Sequence, residues 1–209
     1  MMKITIFGAT GGTGRELTRQ AVERGHEVTV YVRDPAKLGE LVKDLAVIVG
    51  SLEDECLLSQ AVGGADVVIS ALGTFNRKPN TVLSDGTRRI VEAIKQNGGS
   101  RFAAVTSMGC GDSKDHVNSR IMRFIMKTFA KEIWADKNRQ EDVIRNSGLD
   151  YLIVRPGGLT YDTARGSWTE LRGGESYKGK QMIPRADVAA YILDRIEKPE
   201  FGNDCLTLF

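Results

Sequence analysis

Short apolar runs alternate with amphipathic stretches along the whole chain. Seven runs rich in Val, Ile, Leu and Ala are predicted to be strands: Lys3 to Phe7, Glu27 to Val32, Leu45 to Val49, Asp66 to Leu72, Arg101 to Ser107, Asp150 to Arg155 and Cys205 to Phe209. Most of them are continuously apolar, which is typical of strands covered by helices on both faces. The pattern therefore predicts a mainly parallel sheet.

Helices are expected between these strands, and most end near a glycine that can adopt the left-handed conformation of a helix terminus. They are Gly14 to Arg24, Glu53 to Val62, Asp85 to Gln96, a long stretch from Asn118 to Asn146, and Arg185 to Glu197. The alternation predicts a doubly wound α/β sheet of about seven strands with helices on both faces. We expect one domain over residues 1–209.

Composition excludes several classes of protein. Lys and Arg number 29 against 27 Asp and Glu, and a net charge of +2 does not favour binding to nucleic acid or to a membrane surface. Cys56, Cys110 and Cys205 lie far apart without a Cys-x-x-Cys pair, so we expect no disulfide framework and no metal site. Because no leader or apolar span is recognisable, we expect a cytoplasmic protein.

A glycine-rich turn follows the first predicted strand. Gly8, Gly11 and Gly14 have the spacing G-x-x-G-x-x-G and lead into an amphipathic helix. The first glycine lets the strand turn, the second lets backbone N–H groups approach a pyrophosphate, and the third packs helix against strand. The motif predicts dinucleotide binding by a Rossmann-type fold. The alternative is a tight structural turn.

The end of the second strand bears on the choice of nucleotide. Arg33 is the first residue beyond the strand and Lys37 lies one turn further, and two cations suit the 2′-phosphate of NADP. Asp34 stands near the position of the acid that binds the ribose of NAD, but it equally suits a cap after the strand. We expect NADP(H), with Lys37 either a phosphate ligand or an ordinary surface lysine.

Two further strand ends are expected to face the ligand, because open sheets bind ligands at the carboxyl ends of their strands. Thr74 follows the fourth strand and Ser107 ends the fifth. Ser107 is the candidate catalytic residue, able to hydrogen-bond the nicotinamide or the substrate. The alternative is a strand-end serine bonded to its own backbone.

The stretches 6–14, 25–34, 66–74, 81–86, 106–107 and 147–157 share the pattern of one known group of proteins. Through them the chain resembles an atypical short-chain dehydrogenase/reductase of the NAD(P)H-binding, NmrA-like group. Within that group it is most similar to the flavin reductase/biliverdin-IXβ reductase family.

The resemblance implies a set of cofactor contacts. Those at the pyrophosphate are Gly8, Thr10, Gly11, Gly12 and Thr13, and the glycine spacing adds Gly14 to the cofactor site. Arg33 lies at the 2′-phosphate with Lys37 nearby, and Ser51 and Leu52 lie at the adenine, although the family usually has Asp in place of Ser51. Those at the nicotinamide end are Leu72, Gly73, Ser107 and Pro156, and we also expect Thr74 and Gly157 to contact the cofactor.

Two features of related enzymes are missing from this sequence. Gly158 stands where biliverdin-reducing relatives have a histidine, and Ile133 stands four residues before Lys137, where a Tyr-x-x-x-Lys pair needs tyrosine. Without that proton donor, reduction of simple carbonyls is disfavoured. We therefore expect hydride transfer from NADPH to a flavin-like, quinone or other conjugated acceptor. The alternative is a non-catalytic NADP(H)-binding sensor.

Other candidate residues have ordinary interpretations as well as functional ones. We expect His116 to be a solvated residue of a flexible loop over residues 109–118, and Tyr161 to lie either at the site or on the surface. The basic residues of the next segment recur at helical spacing beside apolar ones: Arg120, Arg123, Lys127 and Lys131. This predicts a solvated basic face over the core. The alternatives are a wall for an anionic substrate and a contact for a partner. The protein is expected to be a monomer or weak homodimer.

Overall fold

The computed structural model describes residues 1–74, 80–173 and 175–209, which contain ten strands and six α-helices. The strands are β1 (Lys3–Phe7), β2 (Glu27–Val32), β3 (Ala46–Val49), β4 (Val67–Ser70), β5 (Arg101–Val105), β6 (Tyr151–Pro156), β7 (Gly158–Thr160), β8 (Glu170–Leu171), β9 (Met182–Pro184) and β10 (Asp204–Leu208). The helices are α1 (Gly12–Glu23), α2 (Glu55–Val62), α3 (Val82–Gln96), α4 (Arg120–Lys127), α5 (Lys131–Arg145) and α6 (Arg185–Ile196). Two 3₁₀ segments span Pro35–Asp44 and Gly111–His116.

Eight strands form the main sheet, in the order β3-β2-β1-β4-β5-β6-β10-β8. All neighbouring strands are parallel except β8, which pairs antiparallel with β10. The direction of winding reverses between β1 and β4, and ligands of such sheets bind outside the carboxyl ends of the strands at that point. The predicted doubly wound, mainly parallel fold is confirmed.

Helices cover both faces of the sheet. On one face, Leu17 of α1 and Ile192 of α6 pack with alternate strand residues such as Ile4. On the other face, Ile90 of α3 and Ile144 of α5 belong to a second buried cluster. The central strands β1, β4, β5 and β6 therefore bury both of their faces, which explains the continuously apolar runs in the sequence.

The expected helix from Asn118 to Asn146 is two helices, α4 and α5, separated by a turn at residues 128–130. The hydroxyl of Thr128 donates to the Phe124 carbonyl (2.8 Å), and the Ala130 N–H donates to the Ile125 carbonyl (3.0 Å). These bonds occupy carbonyls that a continuous helix would use, so α4 ends there.

Three short strands were not predicted. β7, β8 and β9 have two or three residues each, too few to produce an apolar run in the sequence. β7 and β9 form a separate parallel pair in which Thr160 is the partner of Pro184. This pair brings the start of α6 beside the residues that follow β7.

Candidate active site

The turn between β1 and α1 is closed by glycines in contact with backbone. Gly8 has φ +82°, and a side chain there would begin 2.6 Å from the Ala71 carbonyl oxygen, in the segment after β4. A side chain at Gly14 would collide with the Gly8 carbonyl, and the Gly11 N–H donates to that same carbonyl (3.0 Å). The loops after β1 and β4 therefore meet in direct contact at the switch point.

Helix α1 begins in a way that suits a bound phosphate. Its N-cap, Gly11, has no side chain to accept hydrogen bonds, and the first turn contains no acidic residue. The first N–H groups of a helix need acceptors and carry a partial positive charge, so a phosphate fits there. The turn thus fits the pyrophosphate of a dinucleotide.

Two basic residues, Arg33 and Lys37, lie just after β2. Arg33 is exposed and makes no hydrogen bond or ion pair within the described parts of the chain. Asp34 accepts the Ala36 N–H (3.1 Å) and lies 3.6 Å from the Lys37 ammonium. Asp34 therefore caps the segment after β2 and pairs with Lys37. Of the two roles considered for it, a contact to the ribose of NAD and a local cap, the structure shows the cap.

Arg15 was missed by the sequence interpretation. Its guanidinium donates to the carbonyls of Thr10 (3.3 Å) and Lys37, so it joins the glycine turn to the segment after β2. A basic residue directly after the third glycine was the available signal, since the first turn of α1 faces this segment. Arg15 adds a third positive charge at the expected 2′-phosphate position.

The expected adenine contacts form an apolar corner. A side chain at Gly86 of α3 would begin 2.7 Å from Leu52 and 3.8 Å from Leu72, which places these two leucines together. Ser51 is held by its neighbours, since its carbonyl accepts the Tyr31 hydroxyl (2.6 Å) and its hydroxyl accepts the Glu53 N–H (3.1 Å). The corner suits a flat, largely apolar ring.

Gly73 follows β4 in the segment that is expected to contact the cofactor. A side chain there would meet no atom of the described residues within 4 Å. Thr74 is the last residue described before the gap at residues 75–79. The open side of Gly73 allows a cofactor to approach the backbone there.

Ser107 lies just beyond β5 with an unoccupied hydroxyl. The side chain is half-buried, and its hydroxyl makes no hydrogen bond within the ranges that the structure describes. The Ser107 carbonyl accepts the Cys110 N–H (3.2 Å). The hydroxyl is therefore available to a ligand and is not bonded to its own backbone, contrary to the alternative interpretation.

A buried ion pair lies directly behind Ser107. Arg155 is fully buried and donates through two nitrogens to the two carboxylate oxygens of Glu141 (2.9 and 2.6 Å). Glu141 also accepts the Thr106 hydroxyl (2.8 Å), and a third nitrogen of Arg155 donates to Asp112 (2.5 Å). The pair ties the end of β5 to β6 and α5.

Lys137 also holds the end of β5 in place. Its ammonium donates to the Thr106 carbonyl (3.1 Å), and desolvation lowers the pKa of this lysine. Burial raises the pKa of the neighbouring Cys110 thiol to about 12. Lys137 is therefore a buried amino group that holds the end of β5 beside Ser107, and the Cys110 thiol is neutral.

The end of β6 is held by contacts within the chain. The Pro156 carbonyl accepts the Met108 N–H (3.0 Å), and a side chain at Gly157 would begin 2.6 Å from the Gln181 carbonyl. A side chain at Gly158 would collide with the Met182 thioether. Met182 thus takes the space that a histidine would need at this position, while a cofactor contact at Gly157 stays a prediction.

Comparison with known proteins identifies the group to which this arrangement belongs. The sequence profile of the NAD(P)H-binding family matches residues 8–199. The chain belongs to this NAD(P)H-binding family. This match confirms the cofactor class inferred from the glycine turn.

Solved structures of similar proteins agree. ChuY from Escherichia coli O157:H7, named an anaerobilin reductase, is 26% identical with a TM-score of 0.83, over 99% of this chain and 96% of that chain. A short-chain dehydrogenase/reductase from Veillonella parvula in complex with NADP shares the fold, at 21% identity and a TM-score of 0.80, over 99% of this chain and 94% of that one.

Curated relatives include oxidoreductases. Oxidoreductase aflX from Aspergillus parasiticus is 25% identical, over 100% of this chain and 82% of its own length. The uncharacterized protein YwnB from Bacillus subtilis is 26% identical, over 99% of this chain and 98% of its own. The resemblance to atypical short-chain dehydrogenases/reductases is thus confirmed, and the chain is an NAD(P)H-dependent oxidoreductase.

Two expectations about this family member were wrong. His116 is buried, not solvated: its ring nitrogens lie 2.8 Å from the Thr207 hydroxyl and 3.0 Å from the Arg172 carbonyl. The loop around it contains a 3₁₀ turn and is pinned by the Ser113 hydroxyl, which accepts the Gly109 N–H (2.9 Å). His116 therefore anchors the loop, and its ring is not available for catalysis.

Helix α4 does not place its apolar side on the core. None of its residues is buried, and Ile121, Phe124 and the following Phe129 are exposed by 74%, 60% and 63%. Met126 packs on Gly109, just after Ser107. The basic and apolar residues of α4 thus form a surface beside the loop that follows Ser107. Within the described residues, no helix is long and apolar enough to span a membrane.

Proposed function

We propose that this oxidoreductase uses NADPH to reduce a planar, conjugated acceptor of the flavin, quinone or bilin type. The observation that carries the proposal is the chemistry around Ser107. The Ser107 hydroxyl makes no hydrogen bond to the described residues, Ile133 replaces the tyrosine of a carbonyl reductase, and the Lys137 amino group is bonded to the Thr106 carbonyl. The site offers positioning and little acid catalysis, which suits an acceptor that solvent can protonate.

Different residues of the chain would bind the cofactor, orient the acceptor and hold the site in place. Bound NAD(P)H supplies a hydride from C4 of its nicotinamide ring. The glycine turn and the start of α1 hold the pyrophosphate, and the Ser107 hydroxyl hydrogen-bonds the nicotinamide or the acceptor. The buried pair of Glu141 and Arg155 keeps the end of β5 in place through Thr106. Orientation of donor and acceptor is therefore the main contribution of the protein.

A preference for NADPH is supported by the charges after β2. Arg15, Arg33 and Lys37 are cationic, and Arg33 makes no ion pair within the described parts of the chain. The adjacent acid, Asp34, accepts the Ala36 N–H and pairs with Lys37. A 2′-phosphate is a dianion near neutral pH and would neutralise this excess of positive charge. The ribose hydroxyl of NADH would leave it uncompensated.

The surface of α4 supports an acceptor with an apolar ring system and anionic groups. Residues 117–131 include four basic and no acidic residues, interleaved with exposed Ile121 and Phe124. This surface adjoins the loop after Ser107 through Met126. The similarity to ChuY adds support for reduction of a conjugated acceptor rather than of a simple carbonyl.

A non-catalytic NADP(H) sensor is the second candidate. The exposed apolar residues of α4 favour it, because contiguous exposed apolar surface is also typical of contacts with partner proteins. Oxidation of NADPH by an added acceptor distinguishes the reductase from the sensor.

The experiment is a titration with NADPH and NADH, followed by oxidation assays with FMN, riboflavin, quinones, biliverdins, anaerobilin and simple carbonyls. We expect preference for NADPH, turnover of at least one conjugated acceptor and none of the carbonyls. Ser107→Ala should lower kcat about tenfold, the loss of one hydrogen bond. The control is Ser100→Ala, because that hydroxyl donates to the Ala65 carbonyl at the opposite end of the sheet (2.8 Å). Tight NADPH binding without any turnover would contradict the reductase and favour the sensor.

A further inference from the structure

Arg185, the first residue of α6, lies against the glycine turn. A side chain at Gly12 would begin 2.6 Å from the Arg185 Nε and 3.0 Å from the hydroxyl of Tyr161. The guanidinium and the phenol therefore cover the backbone where α1 starts. Neither residue belongs to the contacts that the family resemblance implies.

The guanidinium of Arg185 has no hydrogen-bond partner among the described residues. Its Nη1 is shielded from solvent and makes no hydrogen bond within the described parts of the chain. The acid nearest along α6, Asp187, is occupied, because its carboxylate accepts the N–H groups of Arg165 and Gly166 (3.0 Å). A shielded, unpaired charged nitrogen is costly, and such groups normally meet an anion.

The fold holds this arginine in place. Thr160 and Pro184 are partners in the parallel β7–β9 pair, so Tyr161 and Arg185 leave the pair side by side. The guanidinium carbon lies 4.0 Å from the centre of the Tyr161 ring, within the range of a cation–π interaction. Tyr161 is 83% exposed, so contact with the core does not explain its position. Its ring acts as a platform that orients the guanidinium.

We propose that Arg185, held on Tyr161, is a ligand for the pyrophosphate of NAD(P)H. The N–H groups at the start of α1 contact the anion from one side, and the guanidinium contacts it from the side of α6. The anion is then enclosed between the glycine turn and the β7–β9 pair. The inference rests on the NAD(P)H binding of the family and does not require the proposed acceptor.

The test is calorimetric binding of NADPH, NADH and 2′-AMP, which has the 2′-phosphate but no pyrophosphate. Arg185→Met should weaken NADPH and NADH alike by about 10- to 100-fold, the range expected for a charge-assisted hydrogen bond, and leave 2′-AMP unchanged. Arg33→Met should give the opposite pattern, weakening NADPH and 2′-AMP but not NADH. Arg19→Met is the matched control, because Arg19 is an arginine of α1 itself that pairs with Glu16 and Glu23 on the exposed side.

A second pair of variants guards against misfolding. Tyr161→Phe keeps the ring and should bind both dinucleotides as the wild type does, whereas Tyr161→Leu should weaken both. The proposal is overturned if Arg185→Met binds NADPH and NADH within twofold of the wild type, or if only NADPH is weakened. Because binding is measured without an acceptor, a missing acceptor activity leaves this result unaffected.

Discussion

The ion pair between Glu141 and Arg155 gives the sharpest prediction about stability. The Glu141 carboxylate accepts hydrogen bonds from two nitrogens of Arg155 and from the Thr106 hydroxyl. Glu141→Gln replaces this carboxylate by a neutral amide. Arg155 is fully buried and keeps only Asp112, whose side chain is 52% exposed. The substitution therefore leaves a positive charge in the interior with a partner at the surface.

The expected loss follows from that burial. Removing one partner of a buried ion pair costs about 3–5 kcal/mol of the free energy of unfolding. For a chain of about 200 residues, 1 kcal/mol corresponds to about 2–4 °C in Tm, so we expect a decrease of about 6–20 °C. Urea denaturation followed by circular dichroism gives the free energy, and a thermal scan gives Tm.

Two comparisons make the measurement specific. Glu23→Gln removes an exposed partner of Arg19 and should change stability by less than about 0.5 kcal/mol. The double variant Glu141→Gln with Arg155→Met should be more stable than Glu141→Gln alone, because the unpaired charge is gone. A loss below about 1 kcal/mol for Glu141→Gln would refute the account of this pair.

Three further predictions concern separate parts of the molecule. Exposed Cys56 should react with a thiol reagent in the native protein, whereas Cys110 should react only after unfolding, because it is buried and its pKa is raised to about 12. Equal labelling rates of the two thiols under native conditions would be inconsistent with this. Burial raises the pKa of Asp204, but hydrogen bonds from Arg172 and Arg195 lower it more, so the pKa lies below its ordinary value of 3.8. The charged Asp204 therefore stabilises the fold above pH 3.8, and this stabilisation is lost as the pH falls through the lower pKa of the folded state. Asp204→Asn should thus be less stable than the wild type at neutral pH, with a difference that shrinks in acid; a difference independent of pH in denaturation curves would argue against it. Gly158→His should not raise bilin turnover, and it requires the flexible Met182 side chain to move. Adding Met182→Ala should therefore raise the Tm of the Gly158→His variant, and an unchanged Tm would disprove the contact.

Local signals accounted for most of the fold. The glycine turn, the apolar runs and the glycines at helix ends are short-range features, so the order of strands and helices could be read from them. Asp34 followed by Pro35 also indicated a cap, and the Asp34 carboxylate accepts the Ala36 N–H. Such patterns depend on residues a few positions apart and hold whatever the rest of the chain does.

Contacts between distant segments could not be anticipated in this way. The partners of His116 are Thr207 and Arg172, and their approach depends on how β8 and β10 pair at the edge of the sheet. Arg185 reaches Gly12 through the β7–β9 pair, whose strands have three residues each and leave no periodic signal.

Helix α4 shows a different limit of sequence patterns. Its amphipathic spacing distinguishes two faces but does not tell which one is covered. Ile121 and Phe124 are on the surface, whereas Met126 of the same helix packs against a small buried cluster.

The central claim is that the protein moves a hydride from NADPH to a conjugated acceptor. The most direct measurement compares oxidation of NADPH deuterated at either face of the nicotinamide C4, with the acceptor that the panel identifies. The account predicts slower oxidation with one stereoisomer only, since the site holds a single face of the ring toward the acceptor. Equal rates with both isomers at limiting acceptor, or bound NADPH that no acceptor oxidises, would contradict it.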